Sequence, residues 1–397
     1  MAGADVRAPF TAVCGTIHPE FHKLPTPCYL LDEAALRKNA EILGRLAKRT
    51  GCKVLLAQKA FSNFNLYPLF EGHLAGTEAS GLYEARLGAE EMPDGEVHVF
   101  CAAYREDELE EVIRYGDHIV FNSPSQLLKF GPAVKAAGKS TGLRINPEHS
   151  TQDGHAIYDP CAPGSRLGTT RSQWDAALKE HPELLSLLDG IHFHTLCEQD
   201  SDDLETTLDA VAEKFGDVLI QMKWVNFGGG HHITRADYDR ELLISCVRRI
   251  QDTYNVQVYL EPGEAVALNA GHLITTVEDI VHNDIAVLDV SAACHMPDVI
   301  EMPYRPPLFD SGEAKEKEYT YLLGGPTCLA GDVIGSYSFD QPLKVGDRLT
   351  FGDMAIYTTV KNNTFNGMRL PDIVWERESG ECEIVKSFGY EDFKCRL

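Results

Sequence analysis

Between positions 54 and 262, short apolar or β-branched runs alternate with stretches of helical periodicity such as 83–91, 106–115 and 204–215. Eight such runs can be read: 54–58, a weak one ending near Thr77, 97–100, 118–121, 142–146, 190–194, 224–227 and 258–261. Eight strands alternating with helices over this length predict a (β/α)8 TIM barrel, with a doubly wound sheet as the alternative that the count alone leaves open. After Gly271 the pattern turns strand-like, in 273–281, 285–290, 319–323, 348–351 and 356–360, with Gly-Asp turns between. An α/β fold is therefore expected, with a barrel over 33–272 and a C-terminal all-β domain over 273–397. The strand-like segment 26–31 comes too early for the barrel, so the N-terminal residues 1–32 are expected to join the β-domain.

Composition narrows the function classes. A net charge of −24 argues against nucleic acid or an anionic membrane as partner and favours cationic ligands through long-range steering. The eleven cysteines are scattered singly without a C-x-x-C pair, as in a protein of a reducing, cytoplasmic compartment. No apolar run approaches the roughly 20 residues that span a bilayer, and no signal-peptide pattern opens the chain.

In (β/α)8 enzymes the chemistry sits where strands end, so the residues closing each run are the candidates. The first run ends in Gln58-Lys59, the fifth in Arg144-Ile145-Asn146 and the sixth in His192-Phe193-His194; the seventh is followed by Gly228-Gly229-Gly230, and the eighth leads into Glu261-Pro262-Gly263-Glu264. A lysine at an apolar strand end is desolvated and becomes a usable nucleophile toward an aldehyde; its bland alternative is a rim lysine. Three glycines after the seventh strand can wrap a phosphate with backbone N–H groups, or form no more than a flexible loop. A carboxylate such as Glu261 suits a protonated pyridinium nitrogen, or an ordinary rim salt bridge. His192 and His194 share a strand face, as a metal pair would need, but neither they nor His231-His232 have a sequence-local carboxylate, and no metal is assigned. His194 is better used stacking on a planar ring.

Taken together, Lys59, His194, Gly228–Gly230, Glu261-Pro262-Gly263 and Gly325-Pro326-Thr327-Cys328 resemble the ornithine and diaminopimelate decarboxylase superfamily over nearly the whole chain. The resemblance implies a barrel binding pyridoxal 5'-phosphate (PLP), a C-terminal β-domain and a homodimer with shared active sites. It implies that Lys59 holds the cofactor covalently, His194 stacks on its ring, Gly228, Gly229, Gly230 and Tyr357 hold its phosphate, and Glu261 pairs with its ring nitrogen. Cys328, supplied by the partner subunit, would protonate the carbon that loses CO2; its bland alternative is a buried structural cysteine. Two departures fall where the superfamily reads its substrate. Ornithine-type enzymes place aspartate, and diaminopimelate-type enzymes glutamate, after the equivalent of Cys328, where this chain has Leu329; arginine commonly follows Glu-Pro-Gly, where this chain has Glu264.

The run SAACHMPDVIEMPYRP over 291–306 looks like the signature of the carboxynorspermidine/carboxyspermidine decarboxylases. Such substrates pair an amino-acid head with a cationic polyamine tail, and carboxylates should receive that tail. Glu264 and Asp298 are the candidates, followed by Asp332 and then Glu301, each of which could otherwise be a solvated loop charge. The expected function is PLP-dependent decarboxylation of carboxynorspermidine or carboxyspermidine. The alternatives are decarboxylation of diaminopimelate, lysine or ornithine, a non-catalytic regulatory homologue, and a metal-dependent barrel hydrolase using His192 and His194.

Overall fold

The computed structural model describes residues 21, 23–152 and 159–397; the rest of the N-terminal segment lies outside the described residues. Strand β1 (Cys28–Asp32) and helix α1 (Glu33–Thr50) precede eight strands that close on themselves: β2 (Lys53–Ala57), β3 (Gly76–Ala79), β4 (Glu96–Phe100), β5 (His118–Phe121), β6 (Ser140–Arg144), β7 (Gly190–His192), β8 (Trp224–Asn226) and β9 (Gln257–Leu260). All neighbours are parallel, and Lys53 and Val54 of β2 pair with Tyr259 and Leu260 of β9. That closure rules out the doubly wound alternative. Parallel strands buried on both faces read as continuous apolar runs, which is why Val54-Leu55-Leu56-Ala57 is so legible. The interior is filled rather than hollow. Trp224 reaches from β8 across Gly190 and Gly142, where a Cβ would overlap its indole, and packs with Leu55, Val120 and Tyr259.

The second strand departs from its expectation. Gly76-Thr77-Glu78-Ala79 is fully buried, and it carries a glutamate that alternation rules disfavour inside a strand.

Of the described residues, those up to Leu36 and Ala267–Leu397 form one compact unit, and Arg37–Val266 the other. The first unit holds a sheet built from β1, β10 (Gly271–Val281), β11 (Ile285–Leu288), β12 (Tyr319–Gly324), β13 (Val333–Phe339), β14 (Arg348–Gly352), β15 (Asp372–Glu376) and β16 (Cys382–Lys386). The path runs β13-β12-β11-β10-β1-β15-β16, with β14 on β10. Pairing is mostly antiparallel, but β1 lies parallel to β15 and β11 to β12. Leu273, Val277, Leu288, Leu323, Tyr337 and Phe351 form its core. The run 356–360 is not a strand: Tyr357 adopts a left-handed φ of 58° and leads a helical turn, Thr358–Lys361, so its β-branched composition is overridden locally. Short helices Ala292–His295 and Asp298–Glu301 also interrupt this unit. Among the described residues no helix is long and apolar enough to cross a membrane.

Candidate active site

Lys59 stands two residues beyond the end of β2, in a turn closed by the Ala60 N–H donating to the Ala57 carbonyl at 3.1 Å. Gln58 anchors that turn, donating to the Glu84 carbonyl at 2.8 Å and accepting from the Tyr67 hydroxyl at 3.1 Å. The Lys59 ammonium is half-buried and makes no hydrogen bond or ion pair with the described residues.

Glu261 follows β9 and is 5% exposed. Its Oε1 accepts from Asn226 Nδ2 at 2.6 Å and its Oε2 from His192 Nε2 at 3.0 Å. Burial alone would raise its pKa, but His192, then His98 and the Asn226 hydrogen bond, together outweigh it and hold the carboxyl below its ordinary value. Burial pushes His192 the other way, so the neutral imidazole donates from Nε2, and its ring stacks on Phe100 with centroids 5.4 Å apart. Arg144 lies over the same Phe100 ring at 4.6 Å and donates to the His194 carbonyl at 3.1 Å. Burial lowers that guanidinium to about 10.

His194 is fixed by the Gly229 N–H, which donates to Nδ1 at 3.0 Å. Burial, then the charges of Lys59 and Arg144, push its pKa well below the ordinary histidine value, so the ring is neutral with its proton on Nε2. Gly228 and Gly230 occupy left-handed φ values of 70° and 84°, and a Cβ on Gly229 would overlap the Glu261 carbonyl. This turn is closed to any other residue type. Gly229→Ala is expected to cost about 1–3 kcal/mol of stability through overpacking and to weaken cofactor retention, read as PLP content after gel filtration.

Glu78, at the end of β3, was not singled out by the sequence. One oxygen accepts from Ser80 at 3.4 Å and the other has no hydrogen-bond partner among the described residues. Burial and then the charge of Glu261 raise its pKa to about 8, with Lys59 opposing, so it is a neutral acid near pH 7. A carboxyl whose folded pKa is raised above its unfolded value binds more protons folded than unfolded, so stability falls as pH climbs from about 4.5 to about 8. Glu78→Gln removes that slope; the melting temperature of the variant minus that of the wild type is expected to grow over the same pH window.

Glu264, third after Glu261, begins the helical turn Glu264–Ala267 with its side chain 19% exposed, and its Oε2 lies 3.8 Å from His232 Nε2. Glu198, His232 and Glu264 bring one donor atom each within 4.8 Å of one another. Lys59, His194, Gly228–Gly230, Glu261 and Glu264 thus all follow strand ends on one face of the barrel, as the strand-end rule expects.

The remaining sequence candidates belong to the sheet-bearing unit. Cys328 is exposed, its thiol donating to Asn366 Oδ1 at 2.7 Å, and Leu329 beside it is 43% exposed. Asp298 and Glu301 both take the Lys361 ammonium, each at 2.5 Å. Asp332 is not a free carboxylate awaiting a ligand. It is 4% exposed and accepts from Ser291 Oγ at 2.9 Å, Ala293 N–H at 3.2 Å and Thr327 Oγ1 at 2.7 Å, which makes it the fastener of the 325–332 loop. Tyr357 is half-buried at the head of its helical turn.

Residues 28–355 match the family described as pyridoxal-dependent decarboxylase, C-terminal sheet domain. A carboxynorspermidine/carboxyspermidine decarboxylase of Campylobacter jejuni is 43% identical over 95% of this chain and 99% of its own. A carboxyaminopropylagmatine decarboxylase of Synechocystis is 42% identical over 96% and 97%. The crystal structure of the Campylobacter jejuni carboxynorspermidine decarboxylase complexed with norspermidine superposes with a TM-score of 0.86 at 42% identity, covering 94% of this chain and 100% of that one. Matched in family over most of its length and in both sequence and fold to these enzymes, the chain belongs to the pyridoxal-dependent decarboxylases.

Proposed function

We propose that this enzyme decarboxylates carboxynorspermidine, carboxyspermidine or both, releasing CO2 and the corresponding polyamine. The observation that carries the chemistry is a Lys59 amine without a hydrogen bond or ion pair among the described residues, on the same barrel face as an ionised Glu261 and the Gly228–Gly230 cradle. These residues fit pyridoxal phosphate: an amine for its aldehyde, a fixed anion for its ring nitrogen and a side-chain-free turn for its phosphate. When bound, the cofactor supplies an electron sink for the pair left as the carbon–carboxylate bond breaks. Lys59 would hold the cofactor through its amine. Glu261, kept ionised by His192 and Asn226, keeps a proton on the ring nitrogen. His194, neutral and held through Nδ1, offers a flat apolar face to the ring. The Cys328 thiol would be the proton donor to the carbon that loses CO2.

Cys328 lies beside the exposed apolar side chains of Leu329 and Phe365, at 43% and 45% exposure, and such a patch invites cover. A homodimer in which the partner subunit supplies Cys328 accounts for both facts. The ten described cysteines are all free, in keeping with a cytoplasmic setting.

Substrate choice follows charge. Leu329 cannot pair a distal ammonium, whereas Glu264, and Asp298 with Glu301, which together exceed the charge of Lys361 by one, can receive a cationic tail. Glu264→Gln is expected to raise KM for the carboxypolyamine several-fold while leaving kcat little changed, because tail binding is the same in the ground and transition states. The likeness to the Synechocystis enzyme favours a second reading, a tail ending in guanidinium, which a carboxylate also pairs well. Incubation of PLP-loaded protein with carboxynorspermidine and, separately, with carboxyspermidine should yield CO2 and the corresponding polyamine in equal amounts from at least one of them; recovery of both substrates unchanged from fully loaded protein would overturn the proposal.

A further inference from the structure

At the opposite mouth of the barrel from the chemistry sits a second polar cluster. Glu96 opens β4, His118 opens β5, and His98 follows Glu96 by two positions on the same strand face. With strands rising about 3.3 Å per residue, Glu96 lies on the order of 13 Å below the strand end at Phe100, so the cluster is separate from the site that holds Lys59.

His98 is 1% exposed, and neither of its ring nitrogens has a hydrogen-bond partner among the described residues. Its Nε2 is 3.6 Å from Glu96 Oε2, and the Nε2 of His118 is 3.7 Å from that same oxygen. The three donor atoms lie within 4.8 Å of one another, and the two imidazoles stack at 4.0 Å. Donors held at about 2.0–2.1 Å by a tetrahedral ion are about 3.3 Å apart, so two of the edges are a few tenths of an ångström from closing. Glu96 is already aimed: Tyr259 donates to its Oε2 at 2.9 Å, while Lys53 takes its Oε1. With His118 at 14% and Glu96 at 31% side-chain exposure, the mouth leaves an entry path.

We propose that Glu96, His98 and His118 form a binding site for a divalent transition-metal ion of the zinc, cobalt and nickel class at the N-terminal mouth of the barrel. Two imidazoles and one carboxylate select that class over magnesium or calcium, which prefer all-oxygen shells. The ion would tie β4 to β5 and, through Tyr259, to β9, on the face of such barrels that serves stability rather than catalysis. Lys53 is the built-in competitor, since its ammonium claims the same carboxylate.

Cobalt is the probe. The PLP-loaded full chain, stripped with chelator and dialysed, is titrated with Co2+ while the visible ligand-field absorption and the melting temperature are followed. One equivalent per chain with a rise in melting temperature is expected. His118→Gln, at a half-open position, should weaken binding at least about tenfold with PLP content unchanged, and Lys53→Met should tighten it. Glu264→Gln, in the Glu198–His232–Glu264 cluster on the other face, should leave cobalt binding as it was. Absence of a cobalt spectrum, equal affinity in His118→Gln, or a signal lost in Glu264→Gln would each overturn the assignment.

Discussion

Lys59→Ala is expected to lower kcat by roughly a thousandfold or more, the scale on which a residue that forms a covalent link to the reacting system is lost. The expectation rests on how little else Lys59 does. Its ammonium is half-buried and bonded to none of the described residues, and the carboxyl beside it, Glu78, is a neutral acid near pH 7. Removing the amine therefore strands no buried charge: Glu261 keeps His192 and Asn226. Folding stability should stay within about 1 kcal/mol of the parent, as for other substitutions that leave no buried partner unsatisfied. The variant should also lose the visible absorption of covalently held PLP. A stable, colourless and inactive protein is the expected combination.

Glu261→Gln should reduce kcat by about a hundred- to a thousandfold, the usual cost of deleting a fixed charge where charge develops. Glutamine keeps the volume and can still bond Asn226 or His192, but it cannot hold a proton on the ring nitrogen by charge. The loss should therefore appear in kcat more than in KM, because the electron sink matters only as the bond breaks. Its pH signature is one-sided. A carboxyl held below its ordinary pKa stays ionised through neutrality and contributes stability that is lost as pH falls through the lowered value, so Glu261 should place no break in the rate profile near pH 7.

The strand-end positions of Lys59, Glu261 and the three glycines were legible because they follow continuous apolar runs that only buried parallel strands produce. Glu78 was hidden for the opposite reason: Gly-Thr-Glu-Ala carries no β-branched or apolar signal beyond Thr77, and the glutamate acquires its character only from burial beside Lys59 and Glu261. Asp332 misled because sequence shows a carboxylate near Cys328 but not the Ser291, Ala293 and Thr327 donors that consume it. Tyr357 misled in backbone rather than identity, since a left-handed residue in a β-branched run is invisible to propensity. Asp372–Glu376 and Cys382–Lys386 gave no clear alternation, yet the first of them pairs with β1 along its whole length.

Decarboxylation of a carboxylated polyamine by PLP chemistry shows itself in kcat/KM for CO2 release by the PLP-loaded enzyme. Carboxynorspermidine, carboxyspermidine and carboxyaminopropylagmatine should be compared with ornithine, lysine and diaminopimelate under identical conditions. The better of the carboxylated polyamines should be preferred at least about a hundredfold over any simple diamino acid, with carboxynorspermidine and carboxyspermidine within about 10–200-fold of each other because they differ by one methylene. Equal or better turnover of a simple diamino acid would contradict it.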